Sequence, residues 1–325
     1  MREKLVITDD IKASVPEWIE YCRRCNYATF FHTPFWAELF SPSHILHTRK
    51  LVFNDGVTVI MPLVYRRLLG GLVKVFISMP ASTFGGWVTS ETLTKKHYEV
   101  LIDYNKKYAD FFWRENPYDQ NIKNTLIEES LNDVTFSIDL TKGYEDILNR
   151  SEYSHRKAIK VAERAGIEIA KAQTLSEWNE YFGMYQSSIS RWKKRNIFSG
   201  VEYNIQLLHK IFSIDSQYRT LWIAYHNSKP VAGILCFYWN QHAVAWHGAG
   251  LEGYFKFRPN NLLYSVAIKD ACSRGYSWFD CNPSGGIKGV IKFKKNLGAI
   301  EIQSRFVNRN SFLRYAVKLA RRIRN

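Results

Sequence analysis

The stretch from Arg258 to Gly298 constrains the fold more than any other part of the sequence. It opens with Arg258 and Pro259, and proline suits the first turn of a helix because no N–H donor is needed there. Apolar residues at helical spacing follow until Gly275, a residue typical of the position just past a helix end. The next residues predict a short buried strand that ends at Asp280. We therefore predict a helix, a strand, and then a turn-rich loop with room for a ligand.

Elsewhere the sequence repeats a pattern of strand, tight turn and strand. Strands are predicted at residues 44–53, 57–65, 221–225, 231–239 and 242–248. Asn54-Asp55-Gly56, between the first two, is a strong hairpin signal. Helical periodicity is found at residues 94–109, 144–165 and 174–192, and Thr174 with Glu177 forms a capping-box pattern at the start of the last. These elements predict an α/β (α+β) fold with mixed, mostly antiparallel sheets flanked by helices.

Composition limits the functional classes. The formal net charge is +15, which attracts phosphate-rich cofactors, RNA or anionic lipid heads without choosing among them. No apolar run reaches the roughly 20 residues that span a bilayer, and residues 1–4 lead into no signal-like core, so we expect a cytoplasmic protein. The five cysteines are scattered, which argues against a disulfide framework. Cys22 and Cys25 form a C-x-x-C without a second ligand pair, and we interpret them as structural.

The 258–298 stretch and a basic helix upstream resemble the C-terminal domain of FemAB-like acyl- and aminoacyltransferases of the GNAT superfamily. The matching pieces are Pro259 with Leu262-Leu263, Gly275 with Phe279-Asp280, Phe293-Lys294 with Gly298-Ala299, and residues 154–159. The resemblance covers most of residues 135–300 and extends more loosely to residues 33–36 and 61–63. The group includes FemAB-related acetyltransferase-domain proteins of cell-envelope and polysaccharide loci and, more distantly, FemX-type peptidoglycan-bridge enzymes.

The resemblance implies tandem GNAT-like domains at residues 1–140 and 141–307, with a C-terminal helix at 308–325 that packs back on the first. That helix carries an apolar stripe at Phe312, Tyr315, Leu319 and Ile323, with five basic residues on its other faces. Peripheral contact with an anionic membrane is the alternative interpretation of such a helix.

Acylation of an amine requires that the amine be held against an activated carbonyl, lose its proton, and have the developing oxyanion stabilised. Asp280 could orient the amine or accept its proton. The resemblance places Lys294 at the family's Phe-Lys position beside the cleft, where it could stabilise negative charge. His247 is a further candidate base. The structural alternatives are a turn carboxylate, an exposed lysine and a satisfied core histidine.

The remaining candidates are expected to bind substrate. They are Arg156, Trp36, Tyr254, Asn282 and Trp192. Arg156 belongs to the basic helix that the family places near its substrate cleft, and its alternative is a solvated charged face. Trp192 precedes a basic cluster, which suits base stacking with phosphate contacts, although the end of a surface helix has the same composition.

Three functions remain open. The first is an N-acyltransferase that uses an acyl-CoA or similar cosubstrate, with no tightly bound cofactor, to acylate a small-molecule or lipid-linked amine on a cell-envelope or polysaccharide precursor. However, the turn at residues 256–261 contains no glycine and includes a proline, which disfavours the ordinary pyrophosphate cradle. The second is an aminoacyl-tRNA-dependent transferase, which suits the basic charge. The third is a non-catalytic module that binds RNA or a membrane.

The sequence has no metal-ligand cluster, no P-loop and no G-x-S-x-G elbow, so we predict no metal or nucleotide-hydrolysing chemistry. We also expect no stable protein partner.

Overall fold

The computed structural model describes residues 4–196 and 201–311. The described residues form two compact units, one from residues 4–133 and 303–311 and one from residues 134–302. The helices are α1 (Val15–Arg24), α2 (Pro34–Glu38), α3 (Lys95–Asn105), α4 (Tyr144–Arg150), α5 (Tyr153–Arg164), α6 (Leu175–Lys194), α7 (Ile205–Phe212), α8 (Pro259–Ser273) and α9 (Lys288–Asn296). None of these described helices is both long enough and apolar enough to cross a bilayer.

The strands alternate with these helices along the chain. They are β1 (Ile7–Lys12), β2 (Ile45–Leu46), β3 (Arg49–Phe53), β4 (Thr58–Met61), β5 (Val64–Leu68), β6 (Val73–Ile77), β7 (Phe111–Arg114), β8 (Ser130–Asp139), β9 (Ile167–Lys171), β10 (Arg219–His226), β11 (Lys229–Trp239), β12 (His242–Gly250), β13 (Trp278–Asp280) and β14 (Ile300–Arg309). Most of their pairings are antiparallel, which confirms the predicted class of mixed, mostly antiparallel α/β fold.

In the first unit, β1, β3 and β4 form a small antiparallel sheet. A second set of strands runs in the order β2, β5, β6, β7 and β14, in which only β6 and β7 are parallel. The predicted turn at Asn54-Asp55-Gly56 joins β3 to β4, and Gly56 takes a positive φ of 90°. The prediction of one strand over residues 57–65 is wrong. The predicted strand is interrupted at Pro62, which has no N–H to donate to a neighbouring strand. The residues after it form β5, which pairs with β6 and not with β3.

In the second unit the strand order is β8, β13, β12, β11, β10 and β9. All neighbours are antiparallel except β12 and β13, which are parallel. Helix α8 packs on one face of this sheet and α6 contacts β11 and β12. As predicted, α8 begins at Pro259 and stops before Gly275, whose φ is +78°. The capping box of Thr174 and Glu177 is also present at the start of α6.

Two parts of the second unit differ from the sequence prediction. The helix predicted at residues 144–165 is divided into α4 and α5 by Ser151, which adopts an extended conformation. The Ser151 hydroxyl donates to the carbonyl of Leu148, a local bond that competes with the helical ladder. The loop predicted after Asp280 contains a helix, α9, that the sequence pattern does not predict.

The structure describes only the first residues of the helix predicted at 308–325. Asn308 and Arg309 belong to β14, and residues 312–325 of the predicted helix lie outside the described residues.

Candidate active site

Strands β12 and β13 part at the carboxyl end of β13. Their parallel pairing covers three positions and ends where Val244 lies beside Asp280. Strand β12 continues to Gly250, and its register with β11 shifts by one residue around Trp246, which forms a β-bulge. The chain after β13 turns sharply at Asn282, whose φ is +61°. The pairing of β12 with β13 therefore ends beside the loop that follows Asp280, and loops of this kind often carry substrate contacts.

Asn282 makes hydrogen bonds to β12, to the end of β13 and to α9. Its side-chain Nδ2 donates to the carbonyl of Ala245 in β12 at 2.9 Å. Its backbone N–H donates to Asp280 Oδ1 at 2.5 Å, and its carbonyl accepts from Lys294 Nζ at 2.5 Å. Asparagine tolerates the left-handed conformation better than most residues, which explains how this turn forms without glycine.

Asp280 and Lys294 therefore meet at one loop. Asp280 is fully buried and also accepts from the hydroxyl of Thr135 at 3.0 Å. Lys294 is 5% exposed, and its Nζ also donates to the carbonyl of Pro283 at 3.2 Å. Burial lowers the pKa of Lys294, and the nearby Asp280 carboxylate offsets part of that change. Both side chains support the loop at Asn282, and a direct catalytic role for either stays a prediction.

His247 follows the bulged Trp246 in β12 and is half-buried. Its Nδ1 lies 2.6 Å from the hydroxyl oxygen of Tyr181 in α6, and its ring centroid lies 4.5 Å from that of Tyr185. Burial lowers the pKa of His247 to about 4. The imidazole is therefore neutral near pH 7, which suits a hydrogen-bond acceptor or base and not a cation.

A basic groove runs between α5, the start of α8, and α9. Its cations are Lys157, Arg258 and Lys292, and none of its described lining residues is acidic. The remaining lining residues are Ser154, His155, Ala158, Val161, Asn261, Gly289, Phe293 and Asn296. The N-terminus of α8 adds partial positive charge at this position. This combination suits a phosphate group.

The buried histidine of the basic groove is neutral. Asn261 Nδ2 donates to Nδ1 of His155 at 3.0 Å, because an amide nitrogen can only donate and the ring nitrogen must accept. Burial lowers the pKa of His155 to about 4, and the neighbouring Arg156 charge adds to the effect. The positive charge of the groove therefore comes from Lys157, Arg258, Lys292 and the helix end.

Part of the chain matches the model of a known protein family. Residues 149–294 match the model of the acetyltransferase (GNAT) domain. This segment is a GNAT-type acetyltransferase domain. It contains the three cations of the basic groove, together with His247, Asp280, Asn282 and Lys294.

Solved structures extend the likeness beyond the GNAT-type domain. FemX aligns with a TM-score of 0.68 at 12% identity, over 92% of this chain and 97% of its own. A conserved protein of unknown function from Bacteroides thetaiotaomicron VPI-5482 gives 0.52 at 12% identity, over 93% and 98%. The C-terminal DUF2156 domain of an Agrobacterium fabrum protein gives 0.52 at 11% identity, over 94% of both chains. Curated protein sequences give no match. The likeness establishes the fold, and the predicted resemblance to FemAB-like GNAT proteins is confirmed.

The other predicted substrate residues are not gathered at the parting of β12 and β13. Arg156 Nη1 donates to the carbonyls at the end of α4, including that of Asn149 at 3.2 Å. Tyr254 packs against His226 and Phe257 after β12. Trp192 is half-buried near the end of α6. Their roles in binding substrate stay predictions.

Trp36 belongs to the first unit and lies outside the GNAT-type domain. It is fully buried, and its indole N–H donates to the hydroxyl of Thr83 at 3.0 Å. A contact between Trp36 and substrate stays a prediction, since the fold alone accounts for a buried tryptophan here.

Sequence reasoning missed several residues of the GNAT-type domain. Tyr181 is one position in an aromatic stripe of α6, and nothing in the sequence indicates which strand that stripe faces. Arg258 and Lys292 were visible only as members of separate basic runs, because the helices that bring them together are far apart in the chain. Within the described residues, no group of three or more His, Cys, Asp or Glu side chains is arranged to hold a metal ion.

Proposed function

We propose that this protein is an N-acyltransferase that moves an acyl group from an activated, phosphate-bearing donor to an amine on a cell-envelope or polysaccharide precursor. The observation that carries the proposal is the basic groove at the start of α8, inside a GNAT-type domain. A groove with Lys157, Arg258 and Lys292 and no carboxylate among its described lining residues favours a ligand with several negative charges.

The proposed reaction uses the groove for binding and the parting of β12 and β13 for chemistry. The donor's phosphates bind in the groove, and its acyl carbonyl reaches the loop at Asn282. Asp280 and Lys294 hold that loop, because each bonds a backbone group of Asn282. His247 is neutral and half-buried, so it can accept a hydrogen bond from the amine. Holding the two reactants in this way supplies the orientation that acyl transfer needs.

An acyl-CoA is the first donor to test, since it combines an activated carbonyl with a pyrophosphate. The turn before α8 lacks glycine, so the side chains of Arg258, Lys157 and Lys292 would bind the phosphates that a glycine-rich turn binds through backbone N–H groups in ordinary GNAT enzymes.

An aminoacyl-tRNA is the second candidate donor. FemX-type enzymes take their acyl group from aminoacyl-tRNA. The structural alignment with FemX covers 97% of FemX and 92% of this chain. The net charge of +15 also favours a long polyanion. A peptide bond to an envelope precursor would then be the product.

A non-catalytic role remains the third candidate, in which the same charge binds RNA or an anionic membrane without turnover. We place all three candidates in the cytoplasm, with the inner face of the membrane as the site if the acceptor is lipid-linked.

The test is a transfer assay with purified full-length protein, a panel of acyl-CoAs and charged tRNAs, and simple amine acceptors read by mass spectrometry. Ribonuclease treatment should abolish transfer only if the donor is tRNA. The groove is tested by Lys292→Ala, with Lys295→Ala as the matched control. Lys295 lies on the same helix but pairs with Glu301 at 2.8 Å and does not line the groove.

We expect Lys292→Ala to raise the KM for the donor about ten-fold, the equivalent of one charge-assisted contact, and Lys295→Ala to leave it unchanged. Equal effects of the two variants would remove the groove from the proposal. Absence of transfer from every donor, with polyanion binding retained, would favour the non-catalytic role.

A further inference from the structure

The contact between Tyr181 and His247 has two parts. The Tyr181 hydroxyl oxygen lies 2.6 Å from Nδ1 of His247 and 3.1 Å from the backbone carbonyl oxygen of the same residue. The two rings meet edge to face, with centroids 6.0 Å apart. Tyr181 can reach this position because residue 233 of β11, which lies beneath its ring, is glycine. Helix α6 thus brings one hydroxyl to two acceptor-capable atoms of one strand residue.

The number of protons on Tyr181 and His247 determines how these atoms bond. Burial raises the pKa of Tyr181 well above its usual value, so the phenol keeps its proton. The neutral His247 imidazole carries one more proton. If the phenol donated to Nδ1, the 3.1 Å contact with the carbonyl would hold no proton. If Nδ1–H donates to the phenol oxygen, the phenol proton is free to bond the carbonyl, and both contacts are hydrogen bonds. The second arrangement satisfies every atom in the contact.

We propose that Tyr181 is a positioning residue that fixes His247 as the tautomer with its hydrogen on Nδ1, so that Nε2 presents a lone pair to the N–H of the acceptor amine. The hydrogen bond at one ring nitrogen sets the tautomer and orientation of the other, as in other sites built around a histidine. This inference rests on the proposed function for the identity of the ligand, and on geometry alone for the tautomer.

The surroundings of His247 leave Nε2 available. Within the described residues, the hydrogen bond of this side chain is the one between Nδ1 and the Tyr181 hydroxyl, and the second bond of that hydroxyl goes to the His247 backbone carbonyl. The other close groups are the rings of Tyr185, Tyr203 and Trp246, whose centroids lie 4.5 to 6.3 Å away. These rings hold the imidazole on its sides without bonding Nε2. An amine with one N–H directed at Nε2 would have its own lone pair free for attack.

The tautomer is measurable without a substrate. In full-length protein with 15N-labelled imidazoles, the nitrogen chemical shifts distinguish hydrogen on Nδ1 from hydrogen on Nε2. The chain has nine histidines, and the signals lost in His247→Gln assign the one in question. We expect hydrogen on Nδ1 in the wild type. Tyr181→Phe removes the oxygen that holds this tautomer and should move the hydrogen to Nε2, the form that free imidazole side chains prefer.

Tyr185→Phe is the matched control. Tyr185 also lies on α6 and packs on the His247 ring, but its hydroxyl accepts from the backbone N–H of Tyr203 at 2.9 Å. Its loss should leave the tautomer of His247 unchanged. A wild type with hydrogen on Nε2, or an unchanged tautomer in Tyr181→Phe, would overturn the proposal.

Turnover tests the second half of the inference. With any donor and amine that the wild type converts, Tyr181→Phe should lower kcat about ten-fold or more and leave the donor KM unchanged. Wild-type kcat in both Tyr181→Phe and His247→Gln would refute a role for Nε2 in the reaction. If no donor is converted at all, the proposed function fails, while the nitrogen spectra still decide whether Tyr181 fixes the tautomer.

Discussion

Replacement of Gly233 by alanine is the sharpest test of how α6 is seated on the sheet. A Cβ at residue 233 would lie 2.7 Å from Cδ2 of Tyr181 and 3.0 Å from the carbonyl oxygen of Trp222. Ordinary contacts begin at 3.4 Å, so the first distance is short by 3.4 − 2.7 = 0.7 Å. The Trp222 oxygen belongs to the backbone of β10, which yields less easily than a side chain, so most of the displacement falls on the Tyr181 ring.

Two magnitudes follow from this displacement. Overpacking of a filled core costs about 1–3 kcal/mol of unfolding free energy. A shift of the ring by 0.7 Å directed away from His247 would also lengthen the 2.6 Å contact to His247 Nδ1 to at most about 3.3 Å, where a hydrogen bond is weak. Gly233→Ala should therefore lower the urea midpoint and move the His247 hydrogen to Nε2, the result also expected for Tyr181→Phe, although it removes no polar group.

Gly248→Ala is the control, because it adds the same methyl group to the neighbouring strand. A Cβ at residue 248 would lie 3.4 Å from Cγ2 of Ile234, which is ordinary contact, and it does not approach Tyr181. This variant should keep the wild-type free energy of unfolding to within about 1 kcal/mol. A Gly233→Ala protein that unfolds like the wild type and keeps hydrogen on Nδ1 would refute the packing argument.

Three further predictions address other parts of the molecule. Asn282→Ala should cost about 1–2 kcal/mol in urea unfolding and lower kcat, because alanine fits a φ of +61° poorly and gives up the bond to β12; unchanged stability would contradict the role assigned to this turn. Glu115→Ala should cost about 3–5 kcal/mol, since it removes the counter-ion of the partly buried Arg305 guanidinium, which is bonded to both carboxylate oxygens at 2.8 and 2.9 Å; a calorimetric loss below 1 kcal/mol would refute this. Burial lowers the pKa of His32 from 6.5 to about 4, so its contribution to stability is full above pH 6.5 and is lost as pH falls towards 4; between pH 7 and 5 the wild type should lose about 2 kcal/mol more than His32→Gln in urea titrations, and equal losses would show that His32 does not protonate on unfolding.

Local signals in the sequence predicted the elements that they control. Pro259 and Gly275 bound α8 because each acts through its own backbone, whatever the rest of the chain does. The same holds for the tight turn after β3 and for the capping box at Thr174. The strand that ends at Asp280 was predicted from a short apolar run, and it lies between β8 and β12 in the sheet.

Features that depend on distant contacts were not predictable in this way. Helix α9 follows a glycine-rich turn and has a polar composition, so its sequence alone resembles a loop. The helix is held in place by the bond from Lys294 to the carbonyl of Asn282, which the sequence does not reveal. The break at Ser151 depends on one side-chain hydrogen bond that competes with a helix. The pairing of Tyr181 with His247 joins residues that are 66 positions apart, and no local pattern encodes it.

The sheet of the second unit separates the basic groove from His247. Successive side chains of a strand point to opposite faces, and along β11 Gly233 lies under α6 while Ile234 joins the core that includes Leu263 of α8. A donor in the groove and an amine at His247 would thus approach from different directions, and neither blocks the entry of the other. Such a layout favours a sequential mechanism, in which both substrates are bound at once and initial-rate plots intersect. It disfavours a ping-pong mechanism, in which the enzyme itself is acylated after the donor leaves and before the amine binds.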